Sequence, residues 1–318
     1  MSVICTGSIA YDYLMTFPGY FRDHILPDRL DSISLSFLVD SLTRQRGGTA
    51  PNIAYTLALL GDPGMIVGTV GEDFGDYRRW LEEHNLDTRY IRVVPGKFTA
   101  SFFANTDLAN NQICSFYTGA MAHAGEISLV ELALEHSDLV IISPNDPGAM
   151  DQYVHECARL GLRYLYDPGQ QVARASADEL RRGVENAYSL FCNDYEFELL
   201  QKHTGLSQAE MTSTVKLLVV TLGRNGADIY SNGDCTHSPV VSPQQIADPT
   251  GVGDAFRGGF VRAWHLGLDW TTCGQMGALA ATYCLEQKGT QNHSYSPAEF
   301  VARYRQHFDD AGKLDALL

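Results

Sequence analysis

The chain has 318 residues, of which 45% are hydrophobic and 19% charged, a composition typical of a globular protein with a large core. Its 23 Lys plus Arg against 38 Asp plus Glu give a formal net charge of −15. Such a balance does not favour a general basic face, so we do not expect nucleic-acid binding. A small anionic substrate would have to be held locally by a helix N-terminus, a metal ion or a few placed cations.

Cysteine and hydropathy patterns narrow the class of protein further. The seven cysteines include no C-x-x-C pair, which predicts reduced thiols rather than a disulfide framework or a zinc ribbon. The ten histidines lack the spacing of a histidine metal site. No run approaches the roughly 18–20 apolar residues of a membrane span, and the start MSVICTGSIAYDYL lacks the features of a secretion signal. We therefore expect a cytoplasmic protein without membrane contacts.

The first third of the chain predicts short strands and one helix. Residues 3–5 form an apolar strand, and the stretch 11–40 is irregular or short-stranded, with Pro18, Gly19 and Pro27 as breakers. Within that stretch the alternation of Ile33, Leu35 and Phe37 predicts a partly buried strand.

Further along, glycines and apolar runs mark the next elements. Gly47-Gly48 breaks the chain before a helix predicted over about 51–60, and a strand follows at 65–70. Residues 98–116 predict two or more strands joined through a turn at 107–111.

From residue 138 the pattern becomes a regular alternation of strands and helices. Predicted strands cover 138–143, 162–167, 187–192, 216–222 and a polar pair near 227–241; predicted helices cover 149–160, 177–184, 194–203, 252–266, 270–287 and 297–307. This order predicts a mostly parallel sheet with helices on both faces, whose ligands bind beyond the carboxyl ends of the strands.

The most informative motif is DPTGVGDAF at 248–256, a glycine-rich turn that opens directly into an apolar helix. Its backbone N–H groups and the helix dipole can converge on one anion, and the Asp254 carboxylate can accept a hydroxyl proton beside it, which suits phosphoryl transfer. A plain helix cap and turn is the alternative. The competing nucleotide motifs fail, because the chain has no G-x-x-x-x-G-K-[ST] and its glycines here follow G-x-G-x-x-x-x-G.

Four motifs in order resemble one family. DPTGVGDAF resembles the second signature of the ribokinase-like (PfkB) kinases, and GGTAPNIA at 47–54 resembles their first. NDYE at 193–196 is similar to the family's N-x-x-E, and TLGRNG at 221–226 to its T-x-G-x-x-G. Within the family, stretches such as GSIAYDYLMTFPG (7–19) and DPGQQVAR (167–174) look most like bacterial adenosine kinases of the mycobacterial type.

The resemblance implies a ribokinase-like three-layer α/β/α sandwich, one kinase domain over 1–318 with a small β-sheet lid formed by about 12–42 and 98–118. It implies phosphorylation of the 5′-hydroxyl of adenosine by ATP. The alternatives left open are a ribokinase or fructokinase, another nucleoside kinase, and a nucleoside-binding regulator without turnover.

By the same resemblance, Asp254 is the base, and the amides of Gly251, Val252 and Gly253 stabilise the transferred phosphoryl group. Arg257, one helical turn on, could reach phosphate oxygens or form a structural ion pair. ATP would be held by Thr221, Gly223 and Gly226. Asn193 and Glu196 would order Mg²⁺, through water, although the same pair also suits an ordinary helix start. Whether a monovalent cation such as K⁺ assists is left open.

The resemblance also implies the acceptor site. Asp12 would accept hydrogen bonds from the sugar hydroxyls, helped by Asn52 and the backbone of Gly48, and Ser8 and Ser36 resemble nucleoside contacts. Phe102 and Phe116 would stack on a purine, although Phe98, Phe103 and Tyr117 compete for that role. One of Gln170 and Gln171 would contact the base or the ribose. Because the lid presents strand edges, we expect a homodimer that pairs lid on lid.

Overall fold

The computed structural model describes residues 2–26, 31, 32 and 34–318. Its larger sheet has nine strands in this part of the chain, in the spatial order β13-β12-β11-β10-β9-β8-β1-β4-β5. The pairs are parallel except at one edge, where β11, β12 and β13 are antiparallel. These strands are β1 Val3–Thr6, β4 Met65–Val70, β5 Asp87–Val93, β8 Leu139–Ile142, β9 Arg163–Tyr166, β10 Ser189–Asn193, β11 Leu217–Thr221, β12 Ala227–Ser231 and β13 Asp234–Ser238.

Helices cover both faces of this sheet. They are α1 Thr49–Leu59, α2 Gly75–Glu83, α3 Pro147–Leu160, α4 Ala177–Glu185, α5 Asp194–Thr204, α6 Gln208–Thr214, α7 Val252–His265, α8 Trp270–Leu285 and α9 Pro297–Tyr304. One hydrophobic core contains residues of α1, α2, α7, α8 and α9, and the other contains residues of α3 to α6. The predicted three-layer α/β/α class with a mostly parallel central sheet is therefore confirmed.

Side-chain alternation along the strands explains why the sheet needs both layers. Leu139 and Ile141 of β8 belong to the core on the α7 and α8 side, whereas Val140 and Ile142 belong to the core on the α3 and α4 side. Successive side chains of a strand point to opposite faces, so a strand that is apolar at every position is stable only when both faces are covered. All four residues are buried.

A second, four-stranded sheet stands apart from the first, in the order β3-β2-β6-β7. Its strands are β2 Ala10–Thr16, β3 Ser41–Gly47, β6 Ala100–Thr106 and β7 Gln112–Tyr117. The predicted strands within 98–116 and their turn at 107–111 are confirmed. Asp107 closes that turn, because its carboxylate accepts hydrogen bonds from the amides of Ala109 and Asn111.

The predicted strand at 33–37 is wrong. Residues 34–39 have no regular secondary structure, and the strand forms at Ser41–Gly47 instead, where the sequence is polar and pairs antiparallel with β2. Phe37 packs edge-on against Phe17 at 5.0 Å, so its apolar ring meets an aromatic cluster rather than a sheet neighbour. Ile33 and the breaker Pro27 lie outside the described residues.

In the remaining helices and strands the sequence predicts most elements to within two or three residues. Three elements carried no signal that we recognised, α2, β5 and α6. Across the described residues, no helix combines the length and the apolar character that a bilayer crossing requires.

Candidate active site

Two cavities meet at Asp254. The first, the large-sheet cavity, has a volume of about 310 Å³ and lies at the carboxyl ends of the large-sheet strands; it is lined by Thr49, Pro144, Asp167, Gly169, Gln170, Asn193, Glu196, Thr221, Gly251, Gly253, Asp254 and Arg257. The second, the small-sheet cavity, has about 250 Å³ and is lined by Ser8, Ala10, Asp12, Gly48, Thr49, Asn52, Phe102, Phe116, Gln170, Thr250, Gly251, Asp254 and Thr290. Thr49, Gln170, Gly251 and Asp254 belong to both.

The start of α7 forms the boundary between the cavities. Gly251 precedes the helix in a left-handed conformation with φ +76°, and a Cβ there would come within 2.8 Å of Thr290. Only glycine fits this turn without strain. The first amides of a helix have no carbonyl partner four residues back, so those of residues 253 and 254 are free of the helix's own ladder. Val252 instead directs its amide back toward the Pro249 carbonyl, at 3.5 Å, and lines neither cavity as the described residues define them.

Asp254 stands in the first turn of α7, where the helix dipole favours a negative charge. Its Oδ2 accepts a hydrogen bond from Asn52 Nδ2 at 2.8 Å. Burial raises the pKa of Asp254 from 3.8 to about 6, Glu196 adds to the rise, and Asn52 and Arg257 oppose it. The carboxylate is thus ionised at neutral pH and more basic than an exposed aspartate, as a proton acceptor should be.

Asp12 brings a second carboxylate to the small-sheet cavity. It lies on β2 directly between Gln45 of β3 and Phe102 of β6. Burial raises the pKa of Asp12 to about 6, and the charges of Asp248 and Asp254 add to the rise. An anionic group with this exposure to the cavity can accept hydrogen bonds from hydroxyls of a bound molecule.

The Gly47-Gly48 elbow explains how β2 and α1 reach the same cavity. Gly48 has φ +99°, and a Cβ there would lie 2.4 Å from the Ser8 carbonyl oxygen. The chain can therefore turn from β3 into α1 against residue 8 only with glycine at this position. The turn places Asn52 one helical turn into α1, facing Asp254.

Strand alternation decides among the aromatic candidates. Phe102 and Phe116 are direct cross-strand partners and both line the small-sheet cavity. Phe98, Phe103 and Tyr117 line a separate cavity of about 570 Å³ together with Tyr13, Asp73 and Ser101. Neighbouring positions of a strand face opposite sides of its sheet, so Phe102 and Phe103 cannot serve the same cavity.

At the start of α5, Asn193 and Glu196 form the helix cap that the sequence offered as one of two interpretations. Asn193 Oδ1 accepts from the Glu196 amide at 2.7 Å, and Glu196 Oε2 accepts from the Asn193 amide at 2.9 Å, a reciprocal helix cap. Both residues also line the large-sheet cavity. Thr221, at the end of the neighbouring strand β11, lines it as well.

Arg257 forms the structural ion pair and also lines the large-sheet cavity. Its Nη2 donates to Asp167 Oδ1 at 2.7 Å and its Nε lies 2.5 Å from Oδ2, with both side chains at least nine-tenths buried. Its Nη1 donates to the Gly253 carbonyl at 3.0 Å, so it also holds the turn at the start of α7. Burial raises the pKa of Asp167 to about 7, against the opposing charge of Arg257.

Several predicted site residues line neither cavity, as far as the described residues define them. Ser36 is exposed on the irregular segment before β3. Gln171 is buried beside Gln170, which takes the cavity position. Gly223 and Gly226 lie in the turn between β11 and β12, where the Gly226 carbonyl accepts a hydrogen bond from the Leu222 amide at 2.7 Å.

Other cavity residues carried no individual prediction. Pro144 lies two residues after β8 and Asp167 directly follows β9, so the rule that ligands bind beyond the carboxyl ends of parallel strands could have identified them. Thr290 carried no such signal, since it lies in the loop after α8 and reaches the small-sheet cavity from far along the chain.

The donor groups of the large-sheet cavity are mainly carboxylates. Asp167, Glu196 and Asp254 face a single cation, Arg257, among its lining residues. No group of three or more His, Cys, Asp or Glu side chains in the described part of the chain forms a direct metal cage. Oxygen ligands and excess negative charge suit a hard divalent cation held partly through water.

Comparison with known proteins agrees with this geometry. A model described as pfkB family carbohydrate kinase matches residues 12–298. A nucleoside kinase from Methanothermobacter thermautotrophicus is 28% identical over 305 residues, which cover 95% of either chain. The solved structure of Burkholderia thailandensis nucleoside kinase in complex with inosine is 38% identical, with a TM-score of 0.86 over 97% of this chain and 98% of that one.

A third relative is the nucleoside kinase of Methanocaldococcus jannaschii, whose solved structure is 27% identical, with a TM-score of 0.86 over 96% of this chain and 98% of that one. These relatives are archaeal and bacterial nucleoside kinases, so they support the family but not the narrower resemblance to mycobacterial adenosine kinases. With the family model covering most of its length, the chain belongs to the PfkB family of carbohydrate kinases and is a phosphotransferase of that family.

Proposed function

We propose that the protein is an ATP-dependent nucleoside kinase that phosphorylates the 5′-hydroxyl, with Asp254 as the base. The observation that carries the proposal is the position of Asp254 and Gly251 in the walls of both cavities. A nucleoside in the small-sheet cavity and ATP in the large-sheet cavity would meet at this boundary. Transfer needs the two reactants in contact at one place, with a proton acceptor beside the hydroxyl.

In the proposed reaction the 5′-oxygen attacks the γ-phosphorus in line, and the bond from that phosphorus to the β–γ bridging oxygen breaks. The hydroxyl proton passes to the Asp254 carboxylate, and the products are a nucleoside 5′-monophosphate and ADP. The amides at the start of α7, among them that of Gly253, would donate hydrogen bonds to the charge that develops on the transferred group. Gly251 and Gly253 line the cavity where this charge would lie.

Three features support a nucleoside rather than a free sugar as the acceptor. Phe102 and Phe116 give the cavity an aromatic end, which a base can occupy and a ribose or fructose alone leaves empty. The Gln170 amide both donates and accepts hydrogen bonds, as does a purine edge. The Burkholderia relative binds inosine at 38% identity.

Adenosine is our first candidate acceptor, and inosine is the second because of the Burkholderia complex. Asp12 would bind the ribose hydroxyls, with Ser8, Asn52 and the Gly48 backbone around it. With adenosine the reaction would serve purine salvage. The use of ATP and nucleosides also implies a cytoplasmic location.

Mg²⁺ would accompany the nucleotide. Three carboxylates and one arginine leave the large-sheet cavity negative, so a polyphosphate would meet repulsion there without a divalent cation. Asn193 and Glu196 would hold the ion through water, and when bound it would neutralise phosphate charge. We expect activity to disappear in EDTA and to return with added Mg²⁺; full activity in chelated buffer would contradict this.

The role of K⁺ is tested by exchanging KCl for tetramethylammonium chloride.

The small sheet would act as the lid of the small-sheet cavity, which it lines through Asp12, Phe102 and Phe116. Closure would exclude water, which otherwise competes with the nucleoside for the phosphoryl group. Its outer face carries Tyr117, 44% exposed, and the stacked rings of Tyr13 and Phe103, and Phe98 of the loop before β6, 66% exposed, lines the same cavity as these three side chains. An apolar face of this kind, with open strand edges, suits a homodimer of lid on lid.

A substrate panel tests the proposal. Adenosine, inosine, guanosine, cytidine, ribose and fructose would be compared by kcat/KM at saturating MgATP, with product identified by mass. We expect the purine nucleosides to exceed ribose and fructose. A higher kcat/KM for ribose or fructose would overturn the nucleoside assignment while leaving the kinase family intact.

A further inference from the structure

A buried hydrogen-bonded chain runs from the Gly47 carbonyl to Asp254. Its three side chains are Tyr77 of α2, Gln291 of the loop after α8, and Asn52 of α1, exposed by only 1%, 2% and 5%. None of the motifs in the sequence contains Tyr77 or Gln291. Both side chains lie outside the lining of the two cavities described above.

The direction of each hydrogen bond follows from the first one. Tyr77 donates its hydroxyl to the Gly47 carbonyl at 3.0 Å, and a carbonyl can only accept. The Tyr77 oxygen is then left to accept, and Gln291 Nε2 donates to it at 2.6 Å. The same Nε2 donates its second hydrogen to Asn52 Oδ1 at 2.7 Å. With Oδ1 engaged, Asn52 presents Nδ2 to Asp254 at 2.8 Å.

The opposite orientation of Asn52 would be unfavourable. It would place the Oδ1 dipole against the Asp254 carboxylate and the Nδ2 group against a hydrogen-bond donor, so two contacts would become repulsive. Gln291 satisfies these two acceptors although its own Oε1 is buried and has no hydrogen-bond partner among the described residues. A buried oxygen without a hydrogen-bond partner is unfavourable. The Gln291 side chain is therefore oriented to donate to Asn52 and Tyr77, although its own oxygen remains without a partner among the described residues.

We propose that Gln291, itself held by Tyr77, is a positioning residue that keeps the Asn52 amide with its N–H directed at the Asp254 carboxylate. The inference rests on the proposed role of Asp254 as the base. A directed N–H keeps the carboxylate ionised and fixes the oxygen that receives the proton. It also leaves the second hydrogen of Asn52 Nδ2 for the small-sheet cavity, which Asn52 lines.

The charged groups around Asp254 are separate from the hydrogen-bonded series of Tyr77, Gln291 and Asn52. Glu196 of α5 raises the pKa of Asp254 and Arg257 of α7 lowers it, while Asp12 and Asp167 each feel the charge of Asp254. Burial keeps the Tyr77 hydroxyl protonated by raising its pKa. A change at Gln291 to another neutral side chain therefore alters the Asp254 environment through Asn52 rather than through a new charge.

The test is a double-mutant cycle with the full-length enzyme. Gln291→Met removes the amide with little change of volume, and we expect kcat to fall about tenfold, the size of one weakened hydrogen bond to a charged group. The KM for ATP should not change, and the acid limb of kcat should move to higher pH. In the Asn52→Ala background, Gln291→Met should cause no further loss of kcat, because the residue through which it acts is gone.

Two further variants test the same role if Gln291→Met is unstable. Gln291→Glu replaces a donor by an acceptor at pH 8, and we expect a larger loss than for Met. Tyr77→Phe leaves the amide in place and should cost less than Gln291→Met, again only when Asn52 is present. The matched control is Gln275→Met, which removes a structural glutamine contact to Tyr304 outside the two cavities and should leave kcat and its pH profile unchanged.

Equal losses of kcat for Gln291→Met with and without Asn52, or an acid limb that does not move, would overturn the positioning role. Asp254→Asn separates this from the proposed function. If Asp254→Asn abolishes turnover while Gln291→Met leaves it intact, Asp254 is the base and the positioning role of Gln291 is wrong. If Asp254→Asn itself retains turnover, the proposed function fails whatever Gln291 does.

Discussion

Asn52 donates a hydrogen bond to Asp254 at 2.8 Å although 202 positions of sequence separate the two residues. Each follows a glycine turn at the start of a helix, Gly47-Gly48 before α1 and Gly251 to Gly253 at α7. The contact therefore joins the two signature motifs into one unit. It connects the part of the chain that would hold the nucleoside to the part that would receive its proton.

The pH dependence of turnover follows from the raised pKa of Asp254. Since only the ionised carboxylate can take the hydroxyl proton, we expect kcat to fall below about pH 6, where burial has placed this pKa. An exposed aspartate would keep its activity to about pH 4. The measurement is kcat at saturating substrates from pH 4.5 to 9, with controls for reversible unfolding. A kcat that stays level down to pH 4.5 would argue against Asp254 as the base.

Asp12 should lower the stability of the fold at neutral pH. Its folded pKa of about 6 lies above the ordinary 3.8, so its contribution is favourable below 3.8 and is lost as the pH rises through 6. We expect Asp12→Asn to raise the free energy of unfolding by about 1–3 kcal/mol at pH 8 and to change it little at pH 4. Denaturant unfolding at both values measures this, and equal effects at both would contradict it. The same variant should weaken nucleoside binding.

The contributions of Arg257 and Asp167 to the free energy of unfolding should depend strongly on each other. Arg257→Met leaves a buried carboxylate without its partner and should cost about 3–5 kcal/mol of unfolding free energy. The pair is nine-tenths buried, so solvent cannot replace the lost charge. Adding Asp167→Asn to Arg257→Met should recover most of this cost, because it removes the unpaired charge. Additive losses in the double variant would show that the two residues act independently.

Much of the fold could be predicted because α/β alternation leaves a strong pattern. The run DLVIIS at 138–143 is apolar at nearly every position, and such a run is stable only between two helical layers. The strands of the small sheet were harder to predict from the sequence. β3 is polar and exists because it pairs with β2 over seven residues, a tertiary contact that no local period reveals. The alternation of Leu35 and Phe37 predicted a strand that does not form, because Phe37 packs against another aromatic ring, Phe21, instead of a strand neighbour.

In the candidate site, too, some residues could be predicted from sequence motifs and others only from tertiary contacts. Asp254, Asn52 and the pair Asn193 and Glu196 lie in the four motifs, and Asp12 lies in the resembling stretch 7–19. Each of them lines at least one of the two cavities. Gln291 and Tyr77 could not be found in this way, because they act on Asn52 through contacts across 239 and 214 positions. The ion pair of Arg257 with Asp167 joins positions 90 residues apart and needed the structure to be found.

The outer face of the lid should mediate dimer formation. We expect a dimer by light scattering at micromolar protein, and Phe98→Lys, on the exposed aromatic face, should shift the protein toward monomer. Val240→Lys is the control, since Val240 is an exposed apolar residue outside this face. A monomeric mass for the unmodified chain would contradict lid-on-lid pairing.

Asp254→Asn tests most directly whether the Asp254 carboxylate deprotonates the nucleoside hydroxyl. Asparagine keeps the size of the side chain but cannot take the proton, so kcat for adenosine or inosine should fall at least ~10²–10⁴-fold. Nucleoside binding, measured by calorimetry on the same preparation, should persist. A variant that binds nucleoside and still turns over at near the original rate would contradict the assignment.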